Sequence, residues 1–338
     1  MNLNELLSEA AALRASDVHL SEDKPVYLRI NGELINYKNL DLNFNKILDE
    51  LGLKDNGHEL DFSFNNDNIR VRGSLYHDIN GLAIAFRLLP MKVLSLSELG
   101  LPEILKSIAK NKSGLFIAAG AAGSGKSSTL AAILNEINNT RREHIITIED
   151  PIEYLHEPNL CLIHQREINL NTLNFAGAVK YALRQDPNVI MIGELRDAET
   201  ISAAVTAAET GHFILASLHA HDAAQAIERL IASLAAGNNN NNEARVRIAG
   251  VLTGIISQRL IKNAKINKGR VCAAEICIAN NAVKNLIREN KVYNLRTVIQ
   301  TNLAQGMQTL EYNLSNLIKA GVITREDALS YASCPAEI

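Results

Sequence analysis

Nowhere in the chain do about 18 or more apolar residues follow one another, so no transmembrane helix is expected. The opening residues, Met1-Asn2-Leu3-Asn4-Glu5, carry no basic cluster, and a secretory leader is not expected either. Cysteine is sparse. Cys161, Cys272, Cys277 and Cys334 are scattered and none forms a C-x-x-C pair, so neither a zinc ribbon nor a disulfide framework is indicated. Reduced, mostly buried thiols in a cytosolic protein are the plain expectation. An excess of positive charge is missing as well. Lys and Arg number 34 against 37 Asp and Glu, a formal net charge of −3, which gives no ground for direct nucleic-acid binding. What remains is ordinary globular composition, 47% hydrophobic and 21% charged over 338 residues, enough for one large or two ordinary domains.

Hydrophobic periodicity changes character along the chain. Leu3, Leu6, Leu7, Ala10 and Leu13 predict a helix over 3–14. Asp17–Leu20 and Val26–Ile30 read as strands, with Asn31-Gly32 as a hairpin turn. Ile69–Leu75 and Leu82–Leu89 read as a second pair turning near Asn80-Gly81. This first part is a small antiparallel α+β domain, 1–95, joined by a linker, 96–102 within the Pro90–Pro102 stretch, to a larger domain, 103–338. In the larger domain buried strands at Leu115–Ala119, His144–Ile148, Val189–Ile192 and Phe213–Leu218 alternate with helical patterns, as in an α/β core. Beyond about residue 220 the chain reads mostly helical. The tract from Gly237 to Asn242 reads as a solvated loop tip.

One motif dominates the chemistry. Gly120-Ala121-Ala122-Gly123-Ser124-Gly125-Lys126-Ser127 fits the P-loop G-x-x-x-x-G-K-[ST], between an apolar strand and the helical run opening at Ser128. The glycines let backbone N–H groups turn toward phosphate oxygens, and the helix N-terminus adds its positive end. Gly120, Gly123, Ser124, Gly125, Lys126, Ser127 and Ser128 are therefore the candidate ATP-binding residues. Lys126 would reach the β- and γ-phosphates, and Ser127 would ligate Mg2+. An ordinary glycine-rich turn is the bland alternative, and the flanking strand and helix argue against it.

Acids at strand ends supply the rest. Asn188–Ile192 is a buried strand leading through Gly193 to Glu194, which could orient or deprotonate an attacking water. The common form of this element has Asp where Gly193 stands, so the grip on Mg2+ must come from elsewhere. Glu149, Asp150 and Glu153, at the end of another strand, could supply it directly or through water, with Glu149 a second candidate base. A strand–helix cap for Glu194 and a solvated acidic loop for the others are the bland readings. His212, His219 and His221 bracket the strand Phe213–Leu218. No third ligand at metal spacing accompanies His219-x-His221, and His219 is better read as sensing phosphate or coupling subunits. Arg70, Arg72 and Arg87 carry forks suited to phosphate oxygens, though surface arginines are often merely solvated.

Together these pieces resemble the secretion-type hexameric ATPases and, within them, the type IV pilus retraction ATPase (PilT) family. Ala15–Leu20 looks like that family's opening motif, Thr147–Glu153 like its aspartate box, Leu183–Asn188 through Gly193–Asp197 like its Walker B element, and Thr210–His212 through His219 like its histidine box. Ala282–Glu289 is similar to its A-I-R-N-L-I-R-E motif, with Val283-Lys284 in place of Ile-Arg. Ala121-Ala122 replaces Pro-Thr in the P-loop, a change that leaves phosphate cradling intact. Extension-type relatives usually carry a longer N-terminal region and a four-cysteine element, and neither is seen. The resemblance implies a PAS-like N-terminal α+β domain, then a RecA-like P-loop ATPase domain with a helical C-terminal part. It implies a homohexameric ATPase with ATP and Mg2+, Lys126, Glu149, Glu194 and His219 catalytic, and Arg70, Arg72 and Arg87 closing on the nucleotide. It further implies a cytoplasmic ring at the inner membrane, working on a pilus platform protein and indirectly on the pilin fibre in twitching motility, adhesion or DNA uptake. An assembly or secretion ATPase, an accessory retraction paralogue and a non-hydrolysing nucleotide-binding scaffold are the alternatives.

Overall fold

The computed structural model describes the chain apart from residues 1, 23, 31–32, 41, 67–68, 90–92, 237–239 and 266–268. Asn31-Gly32, the start of the linker at Pro90 and the head of the Gly237–Asn242 tract thus lie outside the described residues. Internal contacts divide the chain into two compact units, Met1–Lys92 with Glu153–Leu155, and Val93–Ile152 with His156–Ile338.

The first unit begins with α1 (Leu3–Ala12), whose start is fixed by a capping box between Asn2 and Glu5. Leu3, Leu6, Leu7 and Ala10 form its buried stripe. Then follow β1 (Ala15–Ser21), β2 (Val26–Ile30), β3 (Glu33–Lys38), α2 (Phe44–Leu51), β4 (Leu60–Asn66), β5 (Ile69–Asp78) and β6 (Gly81–Leu89). They build a six-stranded sheet of order β3-β2-β1-β6-β5-β4, antiparallel throughout. Alternation sorts the two faces. Val18, Leu28, Val71, Leu75, Ile84 and Phe86 are fully buried in one core. Arg70 and Arg72 flank Val71, and Arg87 separates Phe86 from Leu88, so the three arginines share the opposite, polar face. Arg72 and Arg87 are direct cross-strand neighbours. The turn at Asn80-Gly81 is present, with Gly81 at φ 127 and the Asn80 N–H donating to Asp78 Oδ1 at 2.6 Å.

In the second unit come α3 (Ile104–Ile108), β7 (Gly114–Ala119), α4 (Lys126–Thr140), β8 (His144–Glu149), β9 (Leu162–Glu167), α5 (Phe175–Ala182), β10 (Val189–Ile192), α6 (Ala198–Glu209), β11 (Phe213–Leu218), α7 (Ala223–Ala236), α8 (Asn241–Val251), β12 (Leu252–Lys262), β13 (Arg270–Ile278), α9 (Asn281–Arg288), α10 (Leu295–Thr301), α11 (Leu310–Lys319) and α12 (Arg325–Tyr331). The seven-stranded sheet runs β13-β12-β7-β11-β10-β8-β9. It is parallel except for β13, which pairs antiparallel with β12. Helices cover both faces, which is why β7, β10 and β11 are buried at every position. Phe116, Ala118, Met191 and Leu215 pack with Leu130, Ile133 and Ile137 of α4, and Leu96 and Leu101 join that core. Ile117, Ile190, Ile214 and Ala216 face Ile201, Ala204 and Ala208 of α6 on the other side.

The mostly helical reading beyond residue 220 needs correction. β12 and β13, 11 and 9 residues long, extend the seven-stranded sheet there. Asn240 and Asn242 are not loop tip, because the Asn240 side chain caps α8 and Asn242 lies inside it. Since β7, β8, β10 and β11 are parallel, their C-terminal ends converge on one edge of the sheet, the place where open α/β sheets bind ligands.

Candidate functional site

The P-loop leaves the end of β7 as a turn that only glycine fits. Gly120, Gly123 and Gly125 hold φ of 149, 72 and 93. A Cβ on Gly120 would lie 2.3 Å from Ser124 Oγ and 2.9 Å from the Gln258 carbonyl oxygen. Gly125 is the N-cap of α4, with Lys126 and Ser127 in its first turn. The loop is ready for an anion. The Lys126 ammonium is buried and donates to the carbonyls of Gly120 at 3.0 Å and Ala121 at 2.8 Å. The buried Ser124 hydroxyl has no hydrogen-bond partner, and the Ser127 side chain stands exposed at the helix start. An open cleft of about 710 Å³ is lined by Gly120–Ala122 and by His219, His221 and Arg229. A second hollow of about 340 Å³ lies along Gly125 and Ser128, with Leu94, Leu99, Leu101 and Leu260 as apolar walls.

Glu194 emerges from the tip of β10 and is clamped from two sides. Arg196 Nε donates to its Oε2 at 2.8 Å, and His219 Nε2 lies 3.1 Å from its Oε1. Burial, then the nearby Lys126 ammonium, push the His219 ring below the ordinary imidazole range, against the pull of Glu194. Both causes favour the neutral form of the ring beside the carboxylate. Two side chains fix the strand tips that carry this pair. Ser217 Oγ donates to the Gly193 carbonyl at 2.5 Å, and Arg229 of α7 donates to the His219 carbonyl at 2.6 Å.

Gly193 has a packing reason. Its Cβ would lie 3.3 Å from both the Glu149 Cα and the Ile148 carbonyl oxygen, where β10 meets the end of β8. A side chain at this position presses on the backbone that presents Glu149, which must yield by a few tenths of an ångström. Glu149 is buried. Its Oε1 accepts from Thr147 Oγ1 at 2.6 Å and Gln165 Nε2 at 3.3 Å. Asp150 turns outward, 3.5 Å from Arg196. The Asp150–Pro151 peptide is cis. Among the described residues, no three His, Cys, Asp or Glu side chains gather as a metal-holding group.

The three arginines are held within their own sheet. Arg70 donates to Asn65 Oδ1 at 3.0 Å and Ser63 Oγ at 2.5 Å. Arg72 reaches Asp61 at 3.4 Å, and Arg87 donates through Nε to Asp17 Oδ1 at 3.0 Å. Asp17 also sits 3.8 Å from Arg29, and its side chain is largely buried. His212 is occupied structurally by the Ala207 carbonyl at 3.0 Å.

Sequence reading missed the clamp of Arg196 on Glu194 and the anchors Thr147, Gln165, Ser217 and Arg229. A signal existed only for Arg196, two residues from Glu194.

Comparison with known proteins follows this geometry. The chain is 42% identical to the type IV pilus retraction ATPase PilT of Pseudomonas aeruginosa, over 99% of each sequence. It is 47% identical to the twitching motility protein of Neisseria gonorrhoeae, over 80% of this chain and 72% of that one. A crystal structure of the pilus retraction motor PilT with bound ADP superimposes with a TM-score of 0.90 at 36% identity, covering 100% of this chain and 99% of the other. The family described as type II/IV secretion system protein matches residues 1–329, and the chain belongs to that family.

Proposed function

We propose that this protein is the ATP-hydrolysing motor of type IV pilus retraction, working as a homohexameric ring. The observation that carries the reading is Glu194, held between Arg196 and His219 at the tip of β10, which β11 separates from the P-loop strand β7. Phosphates of ATP take the amides of 120–127, and Lys126 exchanges the Gly120 and Ala121 carbonyls for phosphate oxygens. The apolar hollow beside Gly125 and Ser128 suits the nucleoside. Mg2+ would be held by Ser127, with Glu149, Asp150 and Glu153 reaching it through water, and would offset phosphate charge. Glu194 takes the proton of the attacking water. Arg196 and His219 keep the carboxylate oriented. Arg70, held by Ser63 and Asn65, Arg72, held by Asp61, and Arg87, held by Asp17, lie on one face and would approach the γ-phosphate as the domains close.

No described helix is long and apolar enough to cross a membrane. The ring would work at the cytoplasmic face of the inner membrane against a pilus platform protein, moving the pilin fibre indirectly, with no direct contact to nucleic acid. Purified protein is expected to turn over ATP with Mg2+ as a six-subunit species. Glu194→Gln is expected to keep ATP binding and assembly while slowing turnover about a hundredfold or more. Turnover near the wild-type rate in that variant would move the base to Glu149 or Glu153.

A further inference from the structure

A second buried acid lies away from the phosphate site. Glu275 of β13 lines a partly open cavity of about 100 Å³. Its Oε1 accepts the Ala223 N–H at 2.8 Å, the first backbone donor of α7. Asp222 caps the same helix through the Gln225 N–H at 2.7 Å. Two carboxylates thus share one helix N-terminus, one from the chain itself and one from the sheet.

The charged and titratable groups around Glu275 are Cys277 on its own strand, His221 and Asp222 ahead of α7, Arg259 of β12, Tyr293, Arg296 of α10 and Glu311 of α11. Neither arginine is given to Glu275. Arg296 serves Glu311 at 2.9 Å and Glu337 at 2.7 Å. Arg259 serves the carbonyls of His221 at 2.7 Å and Gln258 at 3.0 Å. Burial first, then the charges of Asp222 and Glu311, push the Glu275 carboxyl up to about 7.

The helix that Glu275 grips also holds the preceding loop, which bears His219. From the first two turns of α7, Arg229 holds the His219 carbonyl at 2.6 Å, and Gln225 accepts the His221 N–H at 2.6 Å. β12 holds the same segment through Ser257 Oγ on the His221 carbonyl at 3.0 Å. Residues 219–223 and the start of α7 therefore form one hydrogen-bonded unit, with His219 against Glu194 at one end and Glu275 at the other.

We propose that Glu275 is a positioning residue for hydrolysis, its carboxylate fixing the first turn of α7 and, through it, the place of His219 against Glu194. The role rests on Glu194 and His219 being catalytic. As a carboxylate, Glu275 is a strong acceptor at the positive end of a helix; protonated, it is a weaker one. Wild-type kcat is expected to fall as the pH drops through about 7, the range in which Glu275 gains its proton. His219, held below its ordinary range, adds a separate fall at lower pH.

The test is the pH profile of Mg-ATP turnover by the full-length ring of wild type, Glu275→Gln and Glu275→Ala. Glu275→Gln mimics the protonated form. It is expected to show at pH 8 the rate that wild type shows at about pH 6, and to lack the limb near 7. Glu275→Ala is expected to lose about tenfold in kcat with KM for ATP unchanged. A Glu275→Gln profile that follows wild type overturns the proposal. Melting temperature is a second readout, independent of catalysis. Burying the charged form costs stability, so the wild type gains stability on acidification from about pH 8 to 6 and Glu275→Gln does not. A pH-independent difference between the two also overturns it. If Glu194→Gln itself hydrolyses normally, the catalytic reading has failed. If Glu194→Gln is inactive while Glu275→Gln titrates as wild type, only the positioning role has.

Discussion

Residue identity at the site follows from contacts that spacing alone does not reveal. The P-loop was legible because its glycines answer a local backbone requirement, and local requirements leave fixed spacings. The second catalytic element was legible only in outline. Its missing aspartate suggested a metal grip supplied elsewhere, while the structure gives a steric cause, the backbone of Ile148 and Glu149 pressed against Gly193. Restoring the usual residue is therefore expected to harm this protein. Gly193→Asp should lower stability by about 1–3 kcal/mol through overpacking, with turnover reduced because Glu149 is displaced. Thermal melting and steady-state ATP hydrolysis check it together. A variant as stable as wild type and faster would show that the position lacks only a carboxylate.

Elements written as continuous apolar runs announce themselves in sequence, while exposed strands and buried strands of mixed polarity do not. β7, β10 and β11 are continuous apolar runs and stand where periodicity puts them. β3 escaped because its side chains are exposed along most of its length, leaving no alternation to read. β12 and β13 escaped because their small, polar and charged residues, Ser257, Gln258 and Glu275 among them, are buried by contacts from distant segments. Motifs can mislead at this scale too. Asp197 ends the stretch that resembles a Walker B element, yet its carboxylate is spent on helix geometry. It accepts from the Thr200 N–H and Thr200 Oγ1, both at 2.8 Å, as the N-cap of α6. Asp197→Ala is expected to cost about 1 kcal/mol and about 2–4 °C in Tm. Turnover measured well below the melting transition should change little. A large loss of kcat with an unchanged Tm would give Asp197 a chemical role instead.

A motor does more than hydrolyse, and the whole molecule must hand its motion to something outside. α9 carries the segment that resembles the retraction motif, and its faces separate cleanly. Val283 and Ile287 are fully buried in the core beneath the ATPase sheet, while Asn285 and Arg288 are exposed and hydrogen-bond to each other at 3.1 Å. Lys284 stands beside them, only partly buried, where the related motif has arginine. The two substitutions in this segment thus belong to different tasks. Val283 serves packing, in which Ile and Val differ by one methylene. Lys284 serves the outward side, where a lysine keeps the charge but not the planar fork. None of the α9 side chains takes part in the hydrogen bonds around Lys126, Glu194 or His219. Lys284→Ala is therefore expected to leave ATP turnover and the six-subunit mass unchanged while reducing twitching and fibre retraction in cells that depend on this motor. Lys284→Arg should retain or increase them. Turnover of the purified ring and twitching-zone diameter, measured on the same variants, separate the two functions. Parallel loss of both would place α9 inside the hydrolytic cycle rather than after it.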